Sequence, residues 1–235
     1  MADLVSLIDH AILHPTASGS DLEQGCSLAD ELGVATVCVK PYWVSAAAGL
    51  LAQSNVGVGT VIGFPHGSNH SSIKVAEASQ ACDDGACELD MVVNVGRVLE
   101  GDWNSVQQDI AAVCQVARQR EALLKVIFET DFVTADEDKV RLCQVCTEIG
   151  VDFVKTSTGF GYTRRDEGGY AYRGATEHDV QLMAASVGPS VQVKASGGIR
   201  SYQDALRMVE LGATRLGTSA SAEIAREQGT SESSY

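Results

Sequence analysis

A chain of 235 residues, 45% of them hydrophobic and 20% charged, has a globular composition and a length close to the roughly 250 residues of one α/β barrel. Its net charge of −14 argues against nucleic acid or an anionic membrane as a partner, and no apolar run approaches the roughly 18 residues of a membrane span. The opening MADLVSLIDH is acidic where a secretion signal is basic, so a cytoplasmic location with reduced cysteines is expected.

Short apolar runs rich in β-branched residues alternate along the chain with segments of helical pattern. Regular alternation of strands and helices predicts a parallel sheet, and eight strands are the number that closes a (β/α)8 TIM barrel. An open, doubly wound sheet is the alternative α/β architecture. The predicted strands span residues 6–12, 34–39, 56–63, 87–94, 122–129, 151–157, 191–196 and 213–217.

Two of the predicted helices begin with the pattern of a capping box, Thr134 with Glu137 and Ser201 with Asp204. The CxxC formed by Cys143 and Cys146 lies within one helical pattern, away from the strand-to-helix turn of a redox motif. Both thiols are therefore predicted to be buried helix residues.

The chain contains no Pro-, Gly- or Ser-rich linker that would divide it into domains. We therefore expect a single barrel domain over residues 1–227, with a polar loop insertion at 160–175. The polar ending EQGTSESSY predicts a flexible tail over residues 228–235.

Four predicted strands carry a charge where a parallel barrel needs apolar residues, because helices cover its outside and packed side chains fill its inside. The four charged residues are Asp90, Lys125, Lys155 and Lys194. Buried charges persist where they pair with one another or carry out chemistry. Strand alternation turns Val154 and Val193 towards the helices, and Lys155 and Lys194 towards the barrel axis.

Three lysines against one or two carboxylates, Asp90 and Glu129, form an unbalanced set. Excess positive charge in a low-dielectric cavity lowers the pKa of an amine, which a nucleophilic lysine needs at neutral pH. The alternative is a set of ion pairs that only fixes strand register, although such pairs seldom improve on apolar packing. The pattern favours an amine that attacks a carbonyl.

Glycine-rich segments follow the last two predicted strands, KASGGIR at 194–200 and RLGTSAS at 215–221. Barrel enzymes often bind phosphate at these two strand ends, on backbone N–H groups and the start of a helix. The pair of loops predicts a phosphate site beside the lysines. Ordinary turns are the alternative, since glycine is common in them.

The sequence predicts no metal site. His66 and His70 in GFPHGSNH have an i, i+4 spacing, but Pro65 places His66 in a loop, where helical geometry is not assured. The other histidines are scattered along the chain.

The segments IDHAILHPTA, GFPHG, ELDMVVNVG, LLKVIFET, FVKTSTGFG, VKASGGIR and ATRLGTS, in this order, resemble the deoxyribose-phosphate aldolase family over nearly the whole chain. KTSTG together with KASGG is a specific combination. The resemblance implies a lyase, a class I aldolase of deoxyribonucleotide catabolism that needs no metal or organic cofactor. Its implied reaction is the reversible cleavage of 2-deoxyribose 5-phosphate to glyceraldehyde 3-phosphate and acetaldehyde, and a homodimer or other homo-oligomer is expected.

The resemblance also assigns roles to residues. It implies that Lys155 forms the Schiff base, that Asp90 and Lys194 move protons, and that Lys125 belongs to the same catalytic set. It implies phosphate binding by Gly159, Gly197, Gly198, Ile199, Arg200, Gly217 and Ser219. Asp9 and Cys38, at the ends of the first two strands, are candidate lining residues. Some family members have a terminal tyrosine that visits the active site, which implies that Tyr235 is a proton donor.

The chain departs from the family pattern at His14 and Phe160, where members can carry lysines, and at Ala220, where a second serine can occur. Its stretch from Tyr162 to Arg173 is also longer than usual. These departures bear on substrate preference and phosphate affinity. Two alternatives stay open: a Schiff-base lyase with another aldehyde or ketone donor, and a non-catalytic barrel that binds phosphosugars.

Overall fold

The computed structural model describes residues 3–164 and 167–232. The strands within these ranges are β1 (Ile8–Ile12), β2 (Thr36–Val39), β3 (Gly57–Ile62), β4 (Glu88–Val92), β5 (Leu123–Ile127), β6 (Phe153–Lys155), β7 (Thr163–Arg164), β8 (Tyr170–Ala171), β9 (Gln192–Ser196) and β10 (Arg215–Thr218). Eight of them close into a parallel barrel in the order β1-β10-β9-β6-β5-β4-β3-β2. The predicted (β/α)8 TIM barrel is confirmed with all eight of its strands, and the open-sheet alternative is wrong.

The helices are α1 (Gly19–Leu32), α2 (Val44–Leu50), α3 (Ser71–Asp83), α4 (Val95–Leu99), α5 (Trp103–Gln119), α6 (Asp136–Ile149), α7 (Glu177–Ser186), α8 (Tyr202–Glu210) and α9 (Ser221–Glu232). Two short 3-10 segments, Val5–Leu7 and Pro41–Trp43, complete the described elements. Among the residues that the structure describes, no helix combines the length and hydropathy needed to cross a membrane.

The two predicted capping boxes have different outcomes. Ser201 and Asp204 cap each other at the start of α8, as predicted. The box at Thr134 is wrong, because α6 begins at Asp136 after Ala135, and no side chain caps it. The first turn of α6 contains three acidic residues instead, and their charges interact favourably with the N-terminal end of the helix dipole.

Strand alternation divides the barrel as predicted. Val154 and Val193 are buried members of the apolar core, whereas Lys155 and Lys194 bind carboxylates. The register places Lys155 opposite Lys194 across β6 and β9. Lys155 is the last residue of β6, so it stands at the carboxyl end of the barrel, where barrel enzymes have their active sites.

The insertion and the last described part of the chain both contain regular secondary structure, which their composition does not predict. Strands β7 and β8 pair as an antiparallel hairpin within the insertion. Helix α9 runs to Glu232 and so includes residues 228–232, the first part of the predicted tail. A physical reason is that the Gln228 side chain accepts a hydrogen bond from the Leu4 N–H (3.1 Å) and donates one to Asp3 (3.2 Å).

Candidate active site

A cavity of about 290 Å³ opens at the carboxyl ends of β1, β2, β6, β9 and β10. This volume suits a small metabolite, being at the lower end of the range for ligand pockets. The predicted site residues that line it are Asp9, Cys38, Lys155, Gly159, Lys194, Gly197, Gly198, Ile199, Arg200, Gly217 and Ser219. Asp90 and Lys125 are not lining residues. Tyr235 lies outside the described residues.

Lys155 is one of two buried amines that line this cavity, with 4% of its surface exposed, and the other is Lys194. Its Nζ lies 2.7 Å from Oδ2 of Asp90. Burial lowers the pKa of Lys155, and repulsion from Lys194 adds to this, while attraction to Asp90 opposes it only in part. The result favours the neutral amine, which is the nucleophilic form.

Asp90 connects all three predicted lysines from behind the cavity. Its Oδ1 accepts a hydrogen bond from Lys125 (2.8 Å), and its Oδ2 accepts from Lys155 and Lys194 (2.7 Å each). Burial disfavours the ionised form, but the lysines outweigh it and hold the pKa of Asp90 well below its usual value. In the free protein Asp90 is therefore a negative charge between three amines.

The buried ionic network is larger than the sequence predicts. Asp9 binds Lys194, lies 3.2 Å from Lys125 and accepts a hydrogen bond from Arg215 at 2.7 Å. Glu88 binds Lys125 at 2.5 Å and Arg215 at 2.8 Å. The expected count of one or two carboxylates against three lysines is wrong. The network contains Asp9, Glu88 and Asp90 against Lys125, Lys155, Lys194 and Arg215.

Glu129 is not a member of this network, contrary to expectation. Its backbone has a positive φ of 56°, and its carboxylate accepts hydrogen bonds from the N–H and the hydroxyl of Thr158. Burial raises the pKa of Glu129 to about 7. Glu129 therefore holds the loop that follows Lys155.

The glycine-rich loops line the other side of the cavity. Gly197 and Gly198 have φ values of 90° and 82°, a conformation in which a side chain would be strained. Helix α8 begins shortly after them, so backbone N–H groups and a helix N-terminus lie together, as in anion sites. Gly217 has a second role, because a Cβ there would lie 3.1 Å from Cε of Lys194.

The insertion supplies an aromatic wall to the same cavity. The rings of Tyr162 and Tyr172 both line it and meet edge to face, with centroids 5.4 Å apart. Asp131 anchors the base of the insertion by accepting the N–H groups of Arg173 (2.6 Å) and Gly174 (3.0 Å). The Arg173 side chain donates to the Thr130 carbonyl at 3.1 Å.

Sequence reasoning missed several residues of the site. Ala11 and Ser196 line the cavity two positions beyond Asp9 and Lys194, so strand alternation was a usable signal for both. The other lining residues absent from the predicted set are Leu13, His14, Thr158, Phe160, Tyr162, Tyr172 and Thr218. Glu88 carried the same signal, since it lies two positions before Asp90.

A possible metal-binding cluster lies outside the barrel, between α6 and α7. It consists of Asp136, His178 and Asp179. The ammonium group of Lys139 lies 2.9 Å from Asp136 and 2.5 Å from Asp179, so a cation already occupies the centre of the cluster. The side chains of Asp136 and His178 are exposed, and exposed acidic groups are common without a metal.

Comparisons with known proteins agree with this geometry. A family model described as DeoC/LacD family aldolase matches residues 4–229. The deoxyribose-phosphate aldolase of Brevibacillus brevis is 46% identical over 228 residues, which are 97% of each chain. Among solved structures, the aldolase QR15 is 38% identical with a TM-score of 0.89, covering 99% of this chain and 98% of that one.

A second solved structure, described as the unique tetrameric structure of deoxyribose phosphate aldolase from Aeropyrum pernix, is 30% identical with a TM-score of 0.86. The match covers 97% of this chain and 92% of that one. The family model and these relatives span nearly all of the barrel and of its cavity. The chain therefore belongs to the DeoC/LacD family of aldolases.

Proposed function

We propose that this chain catalyses the reversible cleavage of 2-deoxyribose 5-phosphate to glyceraldehyde 3-phosphate and acetaldehyde, through a Schiff base on Lys155. The observation that carries the proposal is a buried amine that lines the cavity, 2.7 Å from Asp90 and beside Lys194. A family of aldolases and relatives named deoxyribose-phosphate aldolase support the reaction class.

The first stage forms the imine. Neutral Lys155 attacks the aldehyde carbon of the open-chain sugar, and loss of water gives a protonated imine that acts as an electron sink. The pKa of Lys155, lowered chiefly by burial, keeps a share of the amine neutral at ordinary pH.

The second stage breaks the bond between carbons 2 and 3. The proton of the hydroxyl on carbon 3 passes to Asp90 through a water molecule that contacts Lys194, and the oxygen of that hydroxyl becomes the carbonyl of glyceraldehyde 3-phosphate. The electron pair of the broken bond moves into the imine and leaves an enamine on Lys155. Tyr235 protonates the enamine carbon, and hydrolysis then releases acetaldehyde and the free lysine.

The phosphate end of the substrate lies at the glycine-rich loops. Gly197, Gly198 and Ile199 offer backbone N–H groups, and Ser219 offers a hydroxyl. Arg200, the last residue of the first of these loops, also lines the cavity and adds a cation. Gly159 and Gly217 complete the proposed set.

The proposed chemistry uses only side chains of this protein and small phosphorylated sugar and aldehyde substrates. We propose a cytoplasmic location, where such sugars are formed from deoxyribonucleotides, and a homodimer or other homo-oligomer. Analytical ultracentrifugation tests the assembly, and a single monomeric species at micromolar concentration would contradict it.

The experiment that tests the proposed function is reduction with borohydride in the presence of acetaldehyde, followed by mass mapping. We expect an ethyl group on Lys155, because borohydride reduces the imine to a stable secondary amine. Lys155→Ala should remove both the label and the cleavage of 2-deoxyribose 5-phosphate. Cleavage at a near wild-type rate by this variant would refute the proposal.

Two controls belong to this experiment. Lys139→Ala removes a buried lysine that lies outside the barrel, and it should keep both the label on Lys155 and the cleavage activity. Treatment with EDTA should leave the wild-type rate unchanged. A rate lost on chelation and restored by a divalent metal would indicate metal-dependent chemistry instead.

A further inference from the structure

The end of the barrel interior opposite the cavity contains an ion pair that does not line the cavity. Arg215 and Glu88 are the first residues of β10 and β4, whereas the cavity lies at the opposite ends of the strands. The guanidinium of Arg215 donates to both carboxylate oxygens of Glu88 (3.1 and 2.8 Å) and to Asp9 (2.7 Å). The ring of Phe153 lies 5.1 Å from that guanidinium.

This pair is connected to Lys155 through shared carboxylates. Glu88 binds Lys125 at 2.5 Å, and Lys125 in turn binds Asp90 at 2.8 Å. Asp90 is the carboxylate that contacts Lys155. A second path runs from Arg215 through Asp9 and Lys194 to Asp90.

The charges of the network do not balance if every basic group is protonated. Four basic groups face three carboxylates, and an uncompensated buried charge is costly. Lys125 contacts three carboxylates, Lys194 contacts two, and Lys155 contacts Asp90 alone. An arginine side chain stays charged in proteins, so Arg215 keeps its proton. Lys155 is thus the member that can give up its proton with the least loss.

We propose that Glu88 and Arg215 are positioning residues that set the protonation state of Lys155 from the end of the barrel opposite the cavity. This inference rests on the proposed role of Lys155 as the nucleophile. Their opposite charges change how strongly Asp90 attracts the ammonium form of Lys155. Neither residue contacts the substrate.

The direction of each effect follows from the shared contacts. Without Arg215, Asp9 attracts Lys125 and Lys194 more strongly, so more of Asp90 is free to hold Lys155 as an ammonium. Without the charge of Glu88, Lys125 interacts more strongly with Asp90. Asp90 then stabilises the ammonium form of Lys155 less. Burial disfavours all these charges, yet the carboxylates raise the pKa values of Lys125, Lys194 and Arg215, while that of Lys155 falls.

Other groups also face Lys155 and stay constant in the comparison. They are the Cys38 thiol on β2 and the Glu129 carboxyl after β5. Burial raises the pKa of Cys38 to about 11, so its thiol stays neutral over the range of interest. Glu129 has a pKa of about 7, raised by burial, and it titrates alike in wild type and variants.

The experiment measures the rate of acetaldehyde trapping by borohydride at Lys155 as a function of pH. Arg215→Met should move the midpoint of the rise in rate to higher pH, and Glu88→Gln should move it to lower pH. Each shift should be about half a pH unit or more, less than direct contact with a charge produces. The double variant E88Q/R215M should return towards the wild-type midpoint, because the removed charges cancel.

The matched control is Asp179→Asn. Asp179 is a buried carboxylate that binds a buried lysine at 2.5 Å, as Glu88 does, but it lies outside the barrel on α7. Its midpoint should equal that of the wild type even if its melting temperature falls. This separates a change in charge from a general loss of stability.

The outcomes are distinct. Unchanged midpoints, or shifts of the same sign in E88Q and R215M, would overturn the inference. If Arg215→Met does not fold, the near-isosteric Glu88→Gln decides, since only a shift to lower pH agrees with the inference. A wild-type protein that traps no acetaldehyde at Lys155 would instead refute the proposed function.

Discussion

Lys194 shows how one residue can serve both charge and proton transfer. Its ammonium binds Asp9 and Asp90, and these carboxylates raise its pKa despite its burial. It also lines the cavity beside Lys155. A charged Lys194 therefore repels a proton on its neighbour while it lies within reach of a substrate.

We predict that Lys194→Leu slows imine formation at neutral pH by about tenfold, the effect of one pKa unit. The reason is that Lys155 then has less competition for Asp90 and feels no repulsion, so its pKa rises. The loss should be recovered as the pH is raised and the amine deprotonates. The rate of borohydride trapping across pH measures this effect.

Lys194→Arg is the matched control, because it keeps the charge but replaces the amine that takes part in proton transfer. Its trapping midpoint should stay near that of the wild type while cleavage slows. A midpoint unaltered in Lys194→Leu would limit Lys194 to proton transfer.

The residues that could be predicted from sequence were those with a charge inside an apolar strand. Asp90 and Lys155 each interrupt an apolar strand pattern, so both were found. Glu88 was missed because it is the first residue of its strand, where a charge is usual. Glu129 was misassigned because β5 ends at Ile127 and the positive φ at 129 breaks the alternation.

At the scale of elements, the insertion contributes an aromatic wall to the cavity. Arg173 is engaged with Thr130 and Asp131, and Arg164 is exposed on β7. Arg165 lies outside the described residues. Phe160, Tyr162 and Tyr172 are the residues of the insertion that line the cavity.

We predict that Tyr172→Ala raises the KM for 2-deoxyribose 5-phosphate by about fivefold, since a lost ring contact is worth roughly 1 kcal/mol. The turnover number should change less, because the lysines are not moved. Steady-state kinetics measure both constants.

The matched control is Tyr170→Ala on the same hairpin, where the side chain is 71% exposed and does not line the cavity. Its constants should equal those of the wild type. Equal effects of the two substitutions would mean that the hairpin acts only through its stability.

Elements were predictable where burial on both sides dictated their composition. The eight strands follow from this rule, whereas helix starts depend on local contacts that a motif does not fix. At α6 the helix begins at Asp136, after Ala135, although Thr134 and Glu137 have the spacing of a capping box. In α9, residues 228–232 are helical although their composition suggests disorder. The side chain of Gln228 is hydrogen-bonded there to Leu4 and Asp3.

At the scale of the whole molecule, helix α9 connects the two described ends of the chain. Gln228 is hydrogen-bonded to Leu4 and Asp3. Deleting residues 228–235 would therefore remove these contacts with the start of the barrel as well as Tyr235. A point substitution is the sharper test of the tyrosine.

We predict that Tyr235→Phe slows the exchange of acetaldehyde methyl protons with deuterated water, because the proposed donor to the enamine carbon is gone. Trapping of acetaldehyde at Lys155 should persist. Proton NMR follows the exchange, and Gln228→Ala serves as the control for a disturbed helix. Exchange at the wild-type rate in Tyr235→Phe would exclude the phenol from this step.

Strand register has a consequence for how the chain tolerates changes in length. Lys155 and Lys194 are neighbours across β6 and β9, although the hairpin and α7 separate them along the chain. Backbone hydrogen bonds of the sheet fix their spacing, and the connection does not. Homologous chains can therefore gain or lose residues between β7 and β8 with the lysine pair in place, whereas a one-residue slip of β9 would turn Lys194 out of the barrel.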